Sequence, residues 1–201
     1  MRLILGALAV MVVSWMWSVG FYVLSPVPYW TMSQTLDDRA AGAALLEHFP
    51  ESGTYILPGR MSSKEIRDEL RANGPVATVY IDRDGSPMSS PLKISLGVVQ
   101  GLVIGLTLGV AMLMLNRYTT KYWNHVAICT TVGLAYSAYP RVADIVFSDF
   151  PQGYQWMMIF SDFVSFVLMI MVMAWFTRPR PGQAEKRTAR DSGGILAPGS
   201  P

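Results

Sequence analysis

The chain has 201 residues, of which 51% are hydrophobic and 15% charged, and its mean hydropathy is +0.31. These values exceed those of an average soluble domain and favour a membrane protein. The formal net charge is only +2, and the single cysteine, Cys129, excludes a disulfide within the chain. Only two histidines, His48 and His125, are present. A cage of His and Cys ligands therefore has too few donors, and neither a metal nor another cofactor is predicted.

An apolar run opens the chain. Residues 1–24 are predicted to form a first transmembrane helix, because about 20 apolar residues cross a hydrocarbon core of about 30 Å. Arg2 ahead of the run also fits a secretory signal peptide. The run is too long for one, however, and it holds Trp15 and Trp17 close to the expected cleavage position. An uncleaved signal anchor is the favoured interpretation, and cleavage is the alternative.

Residues 25–91 are predicted to fold as a small α/β insert outside the cytoplasm. A helix over about residues 36–48 has Thr35 as its expected N-cap, and the stretch SSKEIRDELRANGP has Ser62 and Glu65 at capping-box spacing. SGTYILPG and VATVYIDRDGSP are predicted strands. So short a segment builds little core of its own, so we expect it to rest on the membrane helices or on a partner.

Three further apolar segments complete the predicted membrane part. They cover residues 92–115, 126–147 and 154–177, with loops over 116–125 and 148–153 and a disordered tail over 178–201. The predicted fold is an all-α membrane bundle of four transmembrane helices, with a small α/β extracytoplasmic insert between the first two helices.

Basic side chains beside the helix ends set the predicted orientation. Arg117 and Lys121 lie in the loop after the second segment, and the tail is rich in arginine and lysine, whereas the 148–153 loop holds Asp149 and no basic residue. The positive-inside rule places both termini in the cytoplasm. We expect a multi-pass protein of the bacterial inner membrane whose basic tail faces lipid and binds no nucleic acid.

The second apolar segment carries glycines at a constant four-residue spacing. These are Gly97, Gly101, Gly105 and Gly109. Small residues let helix backbones approach closely in lipid, so this glycine zipper predicts a helix-packing ridge. Packing against the first helix, where Ser14 and Ser18 form a small pair, is favoured over an interface with a second copy or with another membrane protein.

Polar side chains within the predicted membrane segments form a second candidate site. Its members are Gln100, Arg141, Asp144 and Asp162. Ionisable groups in a membrane are functional candidates by default. Arg141 and Asp144 share a helix face, and Arg141 and Asp162 both fall near the outer edge of the hydrocarbon. That shallow depth favours a structural ion pair of Arg141 with either carboxylate.

Motifs of common enzyme classes are absent from the sequence: there is no nucleophile elbow, zinc-protease helix, phosphate-binding loop or dinucleotide fingerprint. Met169 and Met173 have a spacing that fits a thioether copper site, but ordinary apolar packing is favoured.

The leading hypothesis for function is a non-enzymatic accessory or interaction subunit that binds another membrane protein or itself. One alternative is a small transporter or ion-coupled protein that uses Arg141, Asp144 and Asp162. The other is a membrane enzyme with its site outside the cytoplasm, at Asp149, Asp162 or His48.

Several stretches resemble a group of small bacterial inner-membrane proteins whose function is not known. They are SPVPYW, FPESGTYILPG, NGPVATVYIDRDGSPM and FPQGYQWMMIFSDFVSFVLMIMVMAWF. The resemblance covers most of the chain from Ser25 to Phe176. It implies four membrane helices and a small periplasmic insert, and it implies no activity and no functional residue.

Overall fold

A computed structural model describes residues 1–87, 90–148 and 150–178 of the chain. The protein is mostly helical, with one small two-stranded sheet. In chain order the elements are α1 (Arg2–Ser18), α2 (Asp38–His48), β1 (Gly53–Leu57), α3 (Lys64–Asn73), β2 (Ala77–Ile81), α4 (Pro91–Leu115), α5 (Tyr122–Phe147) and α6 (Gln152–Thr177). The chain forms two compact units: the insert, Met32–Ile94, and the membrane unit, which comprises Met1–Thr31 and the described residues from Ser95 onward.

Three helices of the described chain are long and apolar enough to cross a membrane: Arg2–Leu24, Pro91–Leu115 and Gln152–Thr177. They confirm the membrane prediction for three of the four segments. α5 is as long as α6, at 26 residues, but it does not reach the same apolar content. Charged Arg141 and Asp144 and several hydroxyl and amide side chains interrupt it. The fourth span therefore stays a prediction.

The first span continues past the end of α1. The backbone widens into a π-helix over Val19–Leu24, and the Ser25 hydroxyl donates a hydrogen bond to the Phe21 carbonyl at 2.7 Å. This bond satisfies a carbonyl that the helix end would otherwise leave unpaired. A short 3-10 turn over Val27–Trp30 follows.

α6 lies in the middle of the membrane unit, because it packs against both α1 and α5. At the α5–α6 contact, the Phe166 ring occupies the space that a Cβ on Gly133 would need. α4 reaches α6 at its end, where the Asn116 side-chain amide donates to the Thr177 carbonyl at 3.0 Å. The shared apolar core consists of Ala7, Val10, Leu108, Met112, Met169, Ile170, Met173 and Ala174.

The insert has the predicted order of helix, strand, helix, strand. β1 and β2 pair antiparallel, from Gly53 opposite Ile81 to Leu57 opposite Ala77. Because side chains alternate along a strand, the sheet has two different faces. One face is half-buried and carries Tyr55, Leu57, Ala77, Val79 and Ile81.

The N-caps of both insert helices differ from the prediction. Thr35 is not the cap of α2: the Asp37 carboxylate accepts hydrogen bonds from the N–H groups of Arg39 and Ala40, at 2.9 and 3.1 Å. An ionised carboxylate is the stronger acceptor at the positive end of a helix. The Thr35 hydroxyl instead donates to Asp38.

The predicted capping box of α3 is wrong by one residue. Ser63, rather than Ser62, caps the helix by accepting from the Ile66 N–H. Glu65 consequently lies in the first turn, where hydrogen bonds from its own backbone N–H and from Ser63 lower its pKa. At its other end α3 stops at Asn73, as predicted, because Gly74 adopts a positive φ of 77°.

Two arginines hold the insert together by donating to backbone carbonyls. Arg67 binds the carbonyls of Ser62 and Arg60, at 2.6 and 3.0 Å. Arg83 binds the Leu46 carbonyl at 2.6 Å and also that of Phe49, so its charge neutralises the negative end of α2. The insert thus relies on side-chain-to-backbone bonds where a larger domain has an apolar core.

Candidate functional site

The four glycines of α4 face one row of side chains on α1. The closest atoms to a Cβ built on each glycine belong to a single α1 residue in every case: Gly97 to Trp15, Gly101 to Met11, Gly105 to Ala7 and Gly109 to Leu3. The α1 row also has a four-residue spacing, and its numbers fall as those of α4 rise. The two helices therefore run antiparallel with their four-residue ridges in contact.

The closest approach of the two backbones is at Gly105. A Cβ on this glycine would lie 2.8 Å from the Ala7 Cα, 3.0 Å from its carbonyl oxygen and 3.1 Å from its Cβ. Real side chains do not approach a backbone this closely, so only glycine fits here. In lipid, where apolar burial does not pull helices together, such close van der Waals contact is what holds two spans.

The next turn is a junction of three helices. The Leu3 side chain of α1 occupies the space of a Cβ on Gly109, and the Met173 sulfur of α6 would lie 3.1 Å from it. The same sulfur would lie 2.9 Å from a Cβ on Gly6. Met173 is fully buried, and it fills the gap that these two glycines leave between α1, α4 and α6.

The two predicted partners of the glycine ridge do not supply its nearest atoms. Ser14 lies on α1 between the contact residues, and its hydroxyl donates to the Met11 carbonyl of its own helix at 2.9 Å. Ser18 ends α1 and is exposed. Larger side chains, Met11 and Trp15, occupy the part of the ridge that the serines were expected to fill.

The second predicted site contains one ion pair. Arg141 of α5 donates to the Asp162 carboxylate of α6 at 3.3 Å, and the two side chains are 28% and 41% exposed. Asp144 lies one turn from Arg141 but forms no ion pair with it, and Gln100 is exposed on α4. The structure thus joins two of the four predicted members and leaves two apart.

Sequence reasoning missed the polar contacts beside this pair. The Trp17 indole N–H donates to the carbonyl and the hydroxyl of Ser161, at 3.2 and 3.3 Å. Trp17 also stacks on Phe21, with ring centroids 5.5 Å apart. These contacts attach α1 to α6 one residue before Asp162. An interfacial tryptophan was the available signal, but sequence does not identify its acceptor.

A second polar group closes the opposite end of the membrane unit. The Thr177 hydroxyl donates to the Met173 carbonyl at 2.9 Å and contacts the Met112 sulfur at 3.6 Å. His125 is fully buried near the carbonyls of Leu115 and Thr119, and neither ring nitrogen has a hydrogen-bond partner among the described residues. His125 was considered at the sequence level only as a metal ligand.

No metal site is evident in the part of the chain that the structure describes, where no three His, Cys, Asp or Glu side chains cluster. Met169 and Met173 belong to the apolar core. Of the residues considered for an enzyme, His48 is exposed at the end of α2 and Asp162 is in the ion pair. Asp149 lies outside the described residues.

Comparison with known proteins adds no family. No family model matches the chain, and no curated protein or solved structure is significantly similar to it. The resemblance to small inner-membrane proteins of unknown function therefore stays a prediction, and function has to be argued from the geometry alone.

Replacing Gly105 tests the close contact. We expect Gly105→Ala to lower the free energy of unfolding by about 1–3 kcal/mol, because the new Cβ forces the backbones of α1 and α4 apart. Unfolding in mixed detergent micelles, followed by tryptophan fluorescence, measures the change. The control is Gly20→Ala in the same span, where a Cβ meets no atom within 4 Å. Equal effects of the two substitutions would contradict the assigned contact.

A double-mutant cycle tests the ion pair. We expect Arg141→Gln and Asp162→Asn each to cost about 1 kcal/mol of unfolding free energy, since both side chains are partly exposed. Together they should cost clearly less than the sum, because either change alone already removes the pair. Asp144→Asn is the control and should be additive with Arg141→Gln. Coupling of Arg141 to Asp144 in place of Asp162 would refute the pairing.

Proposed function

We propose that the chain is a non-enzymatic accessory subunit of the bacterial inner membrane that binds another membrane protein through its extracytoplasmic insert. The observation that carries this proposal is the lack of a core in the insert. Neither α2 nor α3 has a buried residue, and only Pro58 is buried between residues 32 and 94 among those described. A unit this small gains stability by covering apolar surface with a partner.

The second face of the sheet is the surface we assign to that partner. It carries Thr54, Ile56, Thr78 and Tyr80, because these residues lie opposite one another in the strand register. Ile56 is 62% exposed and Tyr80 is 73% exposed. Exposed apolar and aromatic side chains grouped on one face are typical of a binding surface.

The membrane part of the proposal has four spans, with α5 as the additional one. α5 packs along α6, and a helix that buries one face against a span is expected at the same depth. Two loops and the positive-inside rule then place both termini in the cytoplasm and the insert outside it. The contacts of α1 with the glycine ridge favour retention of α1 over its removal as a signal peptide.

The distribution of polar groups favours an accessory role over transport. Arg141 and Asp162 lie at one end of the α5–α6 pair, and Asn116 and Thr177 lie at the other. The core between them is apolar. A groove of about 400 Å³ on α5 is also lined by apolar and aromatic side chains: Ala135, Ala138, Tyr139, Val142, Ala143, Val146 and Phe147. A transport path needs polar groups across the bilayer.

Site-specific photo-cross-linking tests the proposal. We expect a photoreactive residue at Ile56 or Tyr80, in cells that express the full chain, to give one adduct of defined mass that contains a second membrane protein. Position Glu69, exposed on α3, is the control and should give none. Ile56→Asp should reduce the adduct formed at Tyr80 at least fivefold while the membrane unit melts unchanged.

Two results would overturn the proposal. One is a chain that stays monomeric in native lipid and gives no adduct from either position. The other is an adduct of equal yield from Glu69, which would indicate random encounter. An adduct with a second copy of the chain would replace the hetero-partner by a self-interface.

A further inference from the structure

Two arginines from opposite ends of the chain meet at one end of the membrane unit. The Arg2 guanidinium donates through Nη1 to the Arg178 carbonyl at 3.3 Å. The Arg178 guanidinium lies over the Trp175 ring, with its central carbon 3.5 Å from the ring centroid. We call Arg2 and Arg178 the arginine pair. The structure brings two cations together here although they are 176 residues apart in sequence.

Most hydrogen-bonding capacity of the pair is unused. A guanidinium has five N–H donors, and Arg2 uses one of them within the described residues. The Arg178 side chain makes only the ring contact. No carboxylate neutralises either group, since the only ion pair in the described chain is that of Arg141 with Asp162.

The surrounding end of the membrane unit is entirely basic. Arg117 and Lys121 lie in the loop that joins α4 to α5, and Asn116 ties this loop to the end of α6. No Asp or Glu occurs in residues 1–5, 113–125 or 171–178. Cations without counter-charges repel one another, so an anion bound between them would be stabilised.

We propose that the arginine pair binds the phosphate of an anionic phospholipid. Arginine matches phosphate geometry through its planar fork of donors. Trp175 is 55% exposed, and tryptophan at a span end lies at the depth of lipid headgroups. A phosphate at that depth therefore meets the free donors of both arginines. This inference rests on the membrane placement proposed above and is independent of the insert and its partner.

Native mass spectrometry of the full chain in detergent tests the proposal. The protein is titrated with phosphatidylglycerol and with phosphatidylcholine of the same acyl chains. We expect the chain to prefer phosphatidylglycerol and the variant R2Q/R178Q to bind it at least fivefold more weakly. The control R117Q/K121Q removes the same charge from the same end and should weaken binding less than twofold.

Further arms separate the remaining outcomes. If R2Q/R178Q does not fold, Arg178→Gln alone gives the reading, because this side chain makes no hydrogen bond within the described residues. Excess inorganic phosphate should not displace the lipid; if it does, the site binds free phosphate and the lipid assignment is wrong. Equal losses in the two double variants, or no preference between the two lipids, would also overturn the proposal.

Discussion

The contact between the backbones of Ala7 and Gly105 constrains the rest of the membrane unit. Adjacent small residues of α1 face different neighbours: Ala7 faces α4, whereas Gly6 faces Met173 and Phe176 of α6. Because neither side chain keeps the helices apart, α1 fits between α4 and α6. A span pair that depends on van der Waals contact tolerates little displacement, so the register of this contact positions Leu3, Met11 and Trp15 as well.

This register also separates the polar groups into two ends. At one end, Trp17 bonds to Ser161 next to the ion pair of Asp162. At the other end, Asn116 bonds to Thr177, and the arginine pair lies one residue further on. The apolar core fills the space between the ends. Such an arrangement anchors helices at both headgroup levels without opening a polar path, and it leaves the insert as the part suited to a partner.

The glycine spacing predicts a ridge because it is a property of one helix. Its partner residues are a property of two helices: they depend on the rotation of α1, which Gly6 and Ala7 set through contacts with α6 and α4. Ser14 and Ser18 have suitable size but lie outside the contact row. The N-caps moved to Asp37 and Ser63 because neighbouring acceptors compete for the same N–H groups. Buried His125 has no local sequence signal at all.

Disulfide cross-linking tests the central claim that α1 of the same chain fills the glycine ridge. The Met11 Cβ lies 3.2 Å from the position of a Cβ on Gly101, near the separation of about 3.5–4.5 Å that a disulfide requires. In a Cys129→Ala background, Met11→Cys with Gly101→Cys should form a disulfide within one chain, seen as an oxidised monomer in native membranes. A disulfide-linked dimer, or no disulfide under oxidation, would contradict the account.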